Sequence, residues 1–236
     1  LITYAPEVST NGTNKSHSIK YILDPFIKIL ENNDKQNTIE VINLDKMVIN
    51  ECLGCSDDLF FVPKENCRQI DDMNSVYQVL KDSELWFFAI ESNSYTPPKK
   101  LLNFLDRLEP LFNDNLIDFN GNGTKKKSEG KIFLLAISSI WEKGVFDELS
   151  FQIQSLSLLF NREVMGQILR PHYGAFVQNF NVNTDFRDQV LNQINNIAIG
   201  LTDSNKVEES AFQSLNSPVI DRDEYIKKFS DVLSII

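Results

Sequence analysis

Two runs of consecutive apolar residues limit what this chain can fold into: Leu85-Trp86-Phe87-Phe88-Ala89-Ile90 and Ile132-Phe133-Leu134-Leu135-Ala136-Ile137. A strand with one wet face alternates apolar and polar side chains, because successive residues point to opposite faces. Neither run alternates. Each therefore reads as a strand covered on both faces, and strands of that kind belong to parallel sheets flanked by helices.

The flanking segments supply the other layers. Leu1 to Tyr4 is a short apolar strand that stops at Ala5-Pro6, and a few of its residues are expected to precede Leu1. Ile19, Ile22, Leu23, Phe26, Ile27 and Leu30 recur at spacings of three and four, the buried face of a helix. Thr38 to Leu44 is a β-branched second strand. Met73, Val76, Tyr77 and Leu80 predict a short helix capped by Asp71 or Asp72. Pro97-Pro98 opens a helix whose face is Leu101, Leu102, Phe104, Leu105 and Leu108. Residues 120–130 form an exposed loop with a basic run. Phe146 to Phe160 is an amphipathic helix and Val164 to Leu169 a fifth strand, with helical patterns over Asp185 to Gly200 and again near the C-terminus.

Strand and helix thus alternate five times. The expected architecture is a doubly wound five-stranded parallel sheet in the order 2-1-3-4-5, with helices on both faces. Residues 1–200 are expected to form this domain, and residues 201–236 a C-terminal helical extension packed on it. The 33 acidic and 23 basic side chains leave a net charge of -10, which repels phosphate backbones and argues against nucleic-acid binding. Three cysteines make no disulfide framework, and no signal peptide or membrane-length apolar run is seen, so a cytoplasmic location is expected.

In such sheets ligands bind beyond the carboxyl ends of the strands, at the switch point between the first and third. Three loops reach that edge. Ala5 to His17 carries Ser9, Thr10, Asn11, Asn14, Ser16 and His17 and opens onto a helix. Amides and hydroxyls so placed suit a phosphate dianion, or else simply cap an ordinary loop. The Walker pattern is missing. Glu91 to Thr96 offers Ser92, Asn93, Ser94 and the aromatic Tyr95, either to flank a flat ring or as a polar connection. Ser138 to Gly144 contributes Ser138, Ser139 and Trp141, the indole either facing a ligand or covering the sheet's end or a subunit contact.

With these elements in this order the chain resembles the flavodoxin-like NAD(P)H-dependent FMN reductases, including the related iron–sulfur flavoproteins. The resemblance covers nearly the whole chain. Its motifs are the polar loop after the first strand, Cys52-Leu53-Gly54-Cys55 after the second, Cys67 shortly before Asp71-Asp72-Met73, and Phe104-Leu105-Asp106-Arg107 closing the third helix. Ile168-Leu169-Arg170-Pro171 and Asp223-Glu224-Tyr225 look like one branch of the family. The resemblance implies FMN, with its phosphate on the Ser9 to His17 loop and its isoalloxazine between the loops after the third and fourth strands. It also implies NAD(P)H as hydride donor, a quinone, flavin or other small molecule as acceptor, and a homodimer or homotetramer. Two departures bear on this. Tyr4-Ala5-Pro6-Glu7 stands where the family has Gly-Ser-x-Arg, and Glu91-Ser92-Asn93 where it has Pro-x-Tyr. Both bring a carboxylate toward an anionic cofactor, which weakens its binding. A non-catalytic carrier or binding protein is therefore the rival reading.

The cysteines admit several roles. A cubane cluster needs four ligands, and Asp58 occupies the family's third thiolate position, which leaves three thiols. Zinc lacks a fourth ligand because His17 and His172 are distant in sequence. A redox Cys-x-x-Cys would sit on a loop rather than at a helix start. The remaining possibility is small, half-buried loop residues. No metal site is assigned. Asp106 and Arg107 read as a structural charged pair at a helix end, and His172 as a loop residue without a role.

Overall fold

The computed structural model describes residues 2–5, 19–33, 38–55, 67–92, 95–114, 130–204 and 206–233. Five parallel strands form one sheet: β1 (Ile2–Ala5), β2 (Val41–Asn43), β3 (Leu85–Glu91), β4 (Gly130–Ile137) and β5 (Arg162–Arg170), in the order β2-β1-β3-β4-β5. Helices α1 (Lys20–Asn33), α2 (Met73–Asp82), α3 (Lys99–Asp106), α4 (Asp147–Leu159), α5 (Tyr173–Val182) and α6 (Thr184–Ile199) cover it, followed by α7 (Gln213–Asn216) and α8 (Arg222–Leu233). The second strand is shorter than Thr38 to Leu44, because Leu44 to Lys46 turn into a 3-10 helix capped by the Asn43 side chain. The fifth is longer than Val164 to Leu169, and α5 went unread in the sequence.

All eight residues of β4 are buried. Its even-numbered apolar residues Ile132, Leu134 and Ala136 enter the layer of α2, α3 and α4, while Phe133, Leu135 and Ile137 enter the layer of α1, α5 and α6. An aromatic row runs across this second face: Phe26 against Phe87 at 5.4 Å, Phe87 against Phe133 at 5.0 Å, and Phe133 against Phe212 at 6.2 Å. Phe212 belongs to the segment after α6, which packs on β5, and Asn216 bonds there to both the Leu169 amide and the Gln167 carbonyl.

β5 carries a bulge. Ile132 pairs with Val164 but Phe133 with Gly166, so Met165 is an extra residue. Gly166 has φ of 152°, and a Cβ there would collide with the Phe212 ring. The amino-terminal edge of the sheet is sealed by buried cations. Arg162 bonds the carbonyls of Ser83 and Glu84 and lies 3.9 Å over Trp86, while Lys131 bonds the Leu201 carbonyl at 2.7 Å.

Another buried cation organises the stretch after β2. Arg107 pairs with both oxygens of Asp71 at 2.7 and 3.0 Å, not with Asp106, because adjacent helical residues point in different directions. Asp71 also accepts from the amides of Asn50 and Met73, and Asp72 from Val48. Burial alone would raise the Asp71 carboxyl, but the hydrogen bonds from Arg107, Asn50 and Met73 outweigh it and hold its pKa below the ordinary aspartate value. These bonds lay the segment carrying Cys52 and Cys55 beside the one carrying Cys67; all three are half-buried and none is in a disulfide.

Two outcomes follow for stability. Gly166→Ala should cost about 2–4 kcal/mol through collision and backbone strain, read as a lowered melting temperature. Asp71→Ala, which strands a buried guanidinium, should cost about 3–5 kcal/mol, and Asp71→Asn less. Asp71's contribution is fully present above the unfolded aspartate pKa and is lost as pH falls through its lower folded value.

Candidate functional site

The carboxyl-terminal edge is where the strand ends open into loops. Glu91, Ile137 and Arg170 stand in register across β3, β4 and β5. Alternation along β3 turns Glu91 toward the α1 layer, where it is 7% exposed, and it is not a carboxylate without partners. One residue on, the Ser92 amide donates to the Ile137 carbonyl at 3.0 Å and the Ser138 amide to Arg170 at 2.9 Å. The sheet's hydrogen bonding therefore continues one step into both loops, placing Ser92 and Ser138 side by side. The Ser138 hydroxyl accepts from the Ile140 amide at 3.1 Å, which fixes the start of the β4 loop. Tyr95 stands at the rim, 58% exposed.

Of the residues singled out in the sequence, Ser92, Tyr95, Ser138, Ser139 and Trp141 therefore lie at or beyond one sheet edge. Ser9, Thr10, Asn11, Asn14, Ser16, His17, Asn93 and Ser94 lie outside the described residues. Trp141 is held toward β5. Its ring stacks on His172 at 4.4 Å and meets Tyr225 of α8 at 5.1 Å, and the Tyr225 hydroxyl bonds the Ser139 carbonyl. His172, read in the sequence as a loop residue without a role, and Tyr225 are thus members of this cluster. Local sequence gives no signal for a partner 84 residues away from Trp141; only the rarity of histidine, two in the chain, marks His172.

The backbone explains how His172 is presented. β5 ends at Arg170, Pro171 stops the ladder, and His172 takes a left-handed φ of 40° before α5 begins. Its amide donates to Ile140 and that of Tyr173 to Ser138, both at 2.9 Å, so the β4 and β5 loops are tied together. His172 is 1% exposed, and neither ring nitrogen has a hydrogen-bond partner among the described residues. Burial, and then the positive charges of Arg170 and Lys143, push its pKa down to about 4.

Arg170 itself is fully buried. Its guanidinium lies 4.6 Å over the Phe176 ring and one nitrogen bonds the Ser217 carbonyl, while Nε and Nη2 have no partner among the described residues. Burial lowers its pKa to about 9. At neutral pH the edge near β5 therefore holds a neutral imidazole above a charged guanidinium. Among the described residues no group of three or more His, Cys, Asp or Glu gathers in metal-holding geometry.

No protein-family model and no curated protein matches the chain. Solved structures similar to it include azoreductase AzrA, at 12% identity and TM-score 0.51 over 84% of this chain and 98% of that one. An azoreductase from Bacillus anthracis str. Sterne is similar at 14% identity and TM-score 0.50, over 91% of this chain and 98% of that one. A flavone reductase is similar at 14% identity and TM-score 0.52, over 88% of this chain and 65% of that one. At these identities the likeness is one of fold, the flavodoxin-like α/β arrangement of a parallel sheet between helical layers.

The pH behaviour of His172 follows from its lowered pKa. The unfolded chain takes up a proton near pH 6.5 and the folded chain only near 4, so stability falls as pH drops across that window and levels off below it. The loss is on the order of 3 kcal/mol. His172→Gln should flatten this part of a pH–stability profile, and the imidazole signal in a nuclear magnetic resonance titration should stay neutral at pH 5.5.

Proposed function

We propose that the chain is a flavin-dependent oxidoreductase. In this reading FMN binds along the edge between β1, β3 and β4, NAD(P)H supplies hydride, and a quinone, flavin or other small molecule takes the electrons. The observation that carries it is the switch point: in a fold shared with structures described as azoreductases and a flavone reductase, β1 and β3 adjoin where the chain reverses the direction in which strands are added. Ser92, Tyr95 and Ser138 lie at the ends of β3 and β4 beside it.

The residues at this edge fit the ring end of a flavin. The Ser138 hydroxyl, buried at the strand end, accepts from Ile140 and carries a proton that a hydroxyl can donate. Tyr95 presents an exposed ring for stacking. Glu91, the carboxylate that the sequence places nearest, is buried, and strand alternation puts it on the α1 side of the sheet with Phe87 and Ala89. When bound, FMN supplies the hydride-accepting ring and the two-electron store. The protein's part is to hold and orient it. Ser9, Thr10, Asn11, Asn14, Ser16 and His17 would hold the phosphate, and Ser92 to Tyr95 with Ser138 and Ser139 the ring, while Trp141 turns to His172 at the β5 end of the same edge; no side chain need move a proton. A homodimer would cover Phe151 and Leu158, exposed seven residues apart on the outer face of α4.

One observation favours the rival reading of a non-catalytic carrier or binding protein with a weakened or lost flavin site. The amides of Ser92 and Ser138 are already committed to Ile137 and Arg170, so two backbone donors at the ring end are spent. The absorption spectrum separates the two at the first step. Bands near ~370 and ~450 nm in purified or FMN-titrated protein are expected. Tyr95→Ala should loosen FMN about 5-fold without altering the melting temperature. NAD(P)H oxidation with an added quinone should then depend on FMN. Saturable FMN binding without such oxidation would select the carrier, and no flavin binding at all would overturn the oxidoreductase and select a binding protein that has lost the FMN site.

A further inference from the structure

We propose that the cleft between the β4 loop, the β5 loop and the start of α8 is a binding site for a planar aromatic carboxylate, separate from the flavin edge. The cleft has a volume of about 430 Å³, enough for a bicyclic ligand, and its walls include the indole of Trp141 and the rings of Pro171 and Pro218. These are flat apolar surfaces, of a kind that receives a ring and not a hydrated inorganic ion.

Charge selects the rest of the ligand. Lys143 and Arg222 line the cleft, and Arg170 lies buried beside His172 behind it. Glu142 is the acid among the lining residues, and its contact with Arg222 is an exposed pair at 3.9 Å, weak enough to yield to a ligand. Asp221, Asp223 and Glu224 flank Arg222 in sequence and temper its field, but none of them lines the cleft. Among the lining residues two cations thus stand against one acid, with the Arg170 guanidinium behind them.

The second, independent feature is His172. It lines the cleft, is almost wholly buried, and carries two ring nitrogens with no partner among the described residues. Neutral imidazole has one donor and one acceptor. A buried group left in that state costs stability, and a ligand carboxylate that accepts from the donor nitrogen relieves part of it. The Trp141 stack and the left-handed backbone hold the ring in place for this.

The proposal does not rest on the flavin reading, and its test is run on flavin-free full-length chain. The probe is 2-naphthoate, titrated calorimetrically at pH 7.5 and low ionic strength, with 2-naphthamide as the uncharged comparison. One-to-one saturable binding of the naphthoate is expected, with at least tenfold weaker binding of the amide. Lys143→Gln with Arg222→Gln, both exposed positions, should lose at least tenfold in affinity with an unchanged melting temperature. Lys20→Gln with Lys28→Gln, exposed on α1, should lose nothing. His172→Phe should weaken the naphthoate selectively, bringing its affinity closer to that of the amide. Saturating FMN should not compete. The proposal is overturned by absent or non-saturable binding, by equal affinity for the two probes, by affinity unchanged in the Lys143 and Arg222 variant, or by displacement with FMN. The last outcome would put the probe in the flavin site.

Discussion

Everything in this structure hangs on the burial of β4. A strand with no wet face cannot satisfy its backbone in water, so both of its edges must be paired, here by β3 on one side and β5 on the other. Both of its faces must also be covered, and one helical layer cannot do that. The two apolar clusters on either side of the sheet are the consequence, and the parallel direction of the strands follows from the helical crossovers that supply the layers. Polar chemistry is thereby confined to the two ends of the strands. Arg162 and Lys131 close the amino-terminal end with bonds to carbonyls, which leaves the carboxyl-terminal end for ligands.

Much of the fold was legible because its cause is local. The unbroken runs over Leu85 to Ile90 and Ile132 to Ile137 state their burial residue by residue, and the face of α1 shows in Ile19, Ile22, Leu23 and Phe26. What escaped has non-local causes. α5 is short, and its residues 173–182 carry asparagines and a glycine; its helical state is fixed by Phe176 and Phe180 entering the core. The partner of Arg107 is 36 positions away, and the adjacent Asp106 offered a plausible but geometrically impossible substitute. Asp71, similarly, reads in the sequence as one of two candidate caps for α2; the N-cap is Asp72, and the task of Asp71, bracing the cysteine-bearing segment through Asn50, needs three dimensions to be visible.

The candidate site divides along the same line. The strand-end residues Ser92 and Ser138 could be placed from the ends of the apolar runs, since a sheet edge is a property of sequence position. The grouping of Trp141 with His172 and Tyr225 joins three separate stretches of chain, through a proline stop, a left-handed residue and a helix that returns from the C-terminus. No spacing rule reaches across it. The same grouping puts unpartnered polar atoms in the interior, a departure from the satisfied-core rule that marks sites of use more often than errors of folding.

The bulge in β5 has a consequence for how length is encoded in this strand. Before it, the even-numbered Arg162 and Val164 belong to the α4 face; after it, the even-numbered Ile168 and Arg170 belong to the α1 face. Met165 and Gly166 lie on the same side, so one residue acts as a half-period phase shift. The bulge is where the ladder can absorb a change of length: without Met165, Val164 and Gly166 would be consecutive on opposite faces, and every later residue would keep its β4 partner and its face. Arg170 would still lie over Phe176, and Leu169 would still enter the layer of α4. The same deletion two residues further on, with the bulge kept, would shift the pairing by one residue and send the Arg170 guanidinium into the layer of α4.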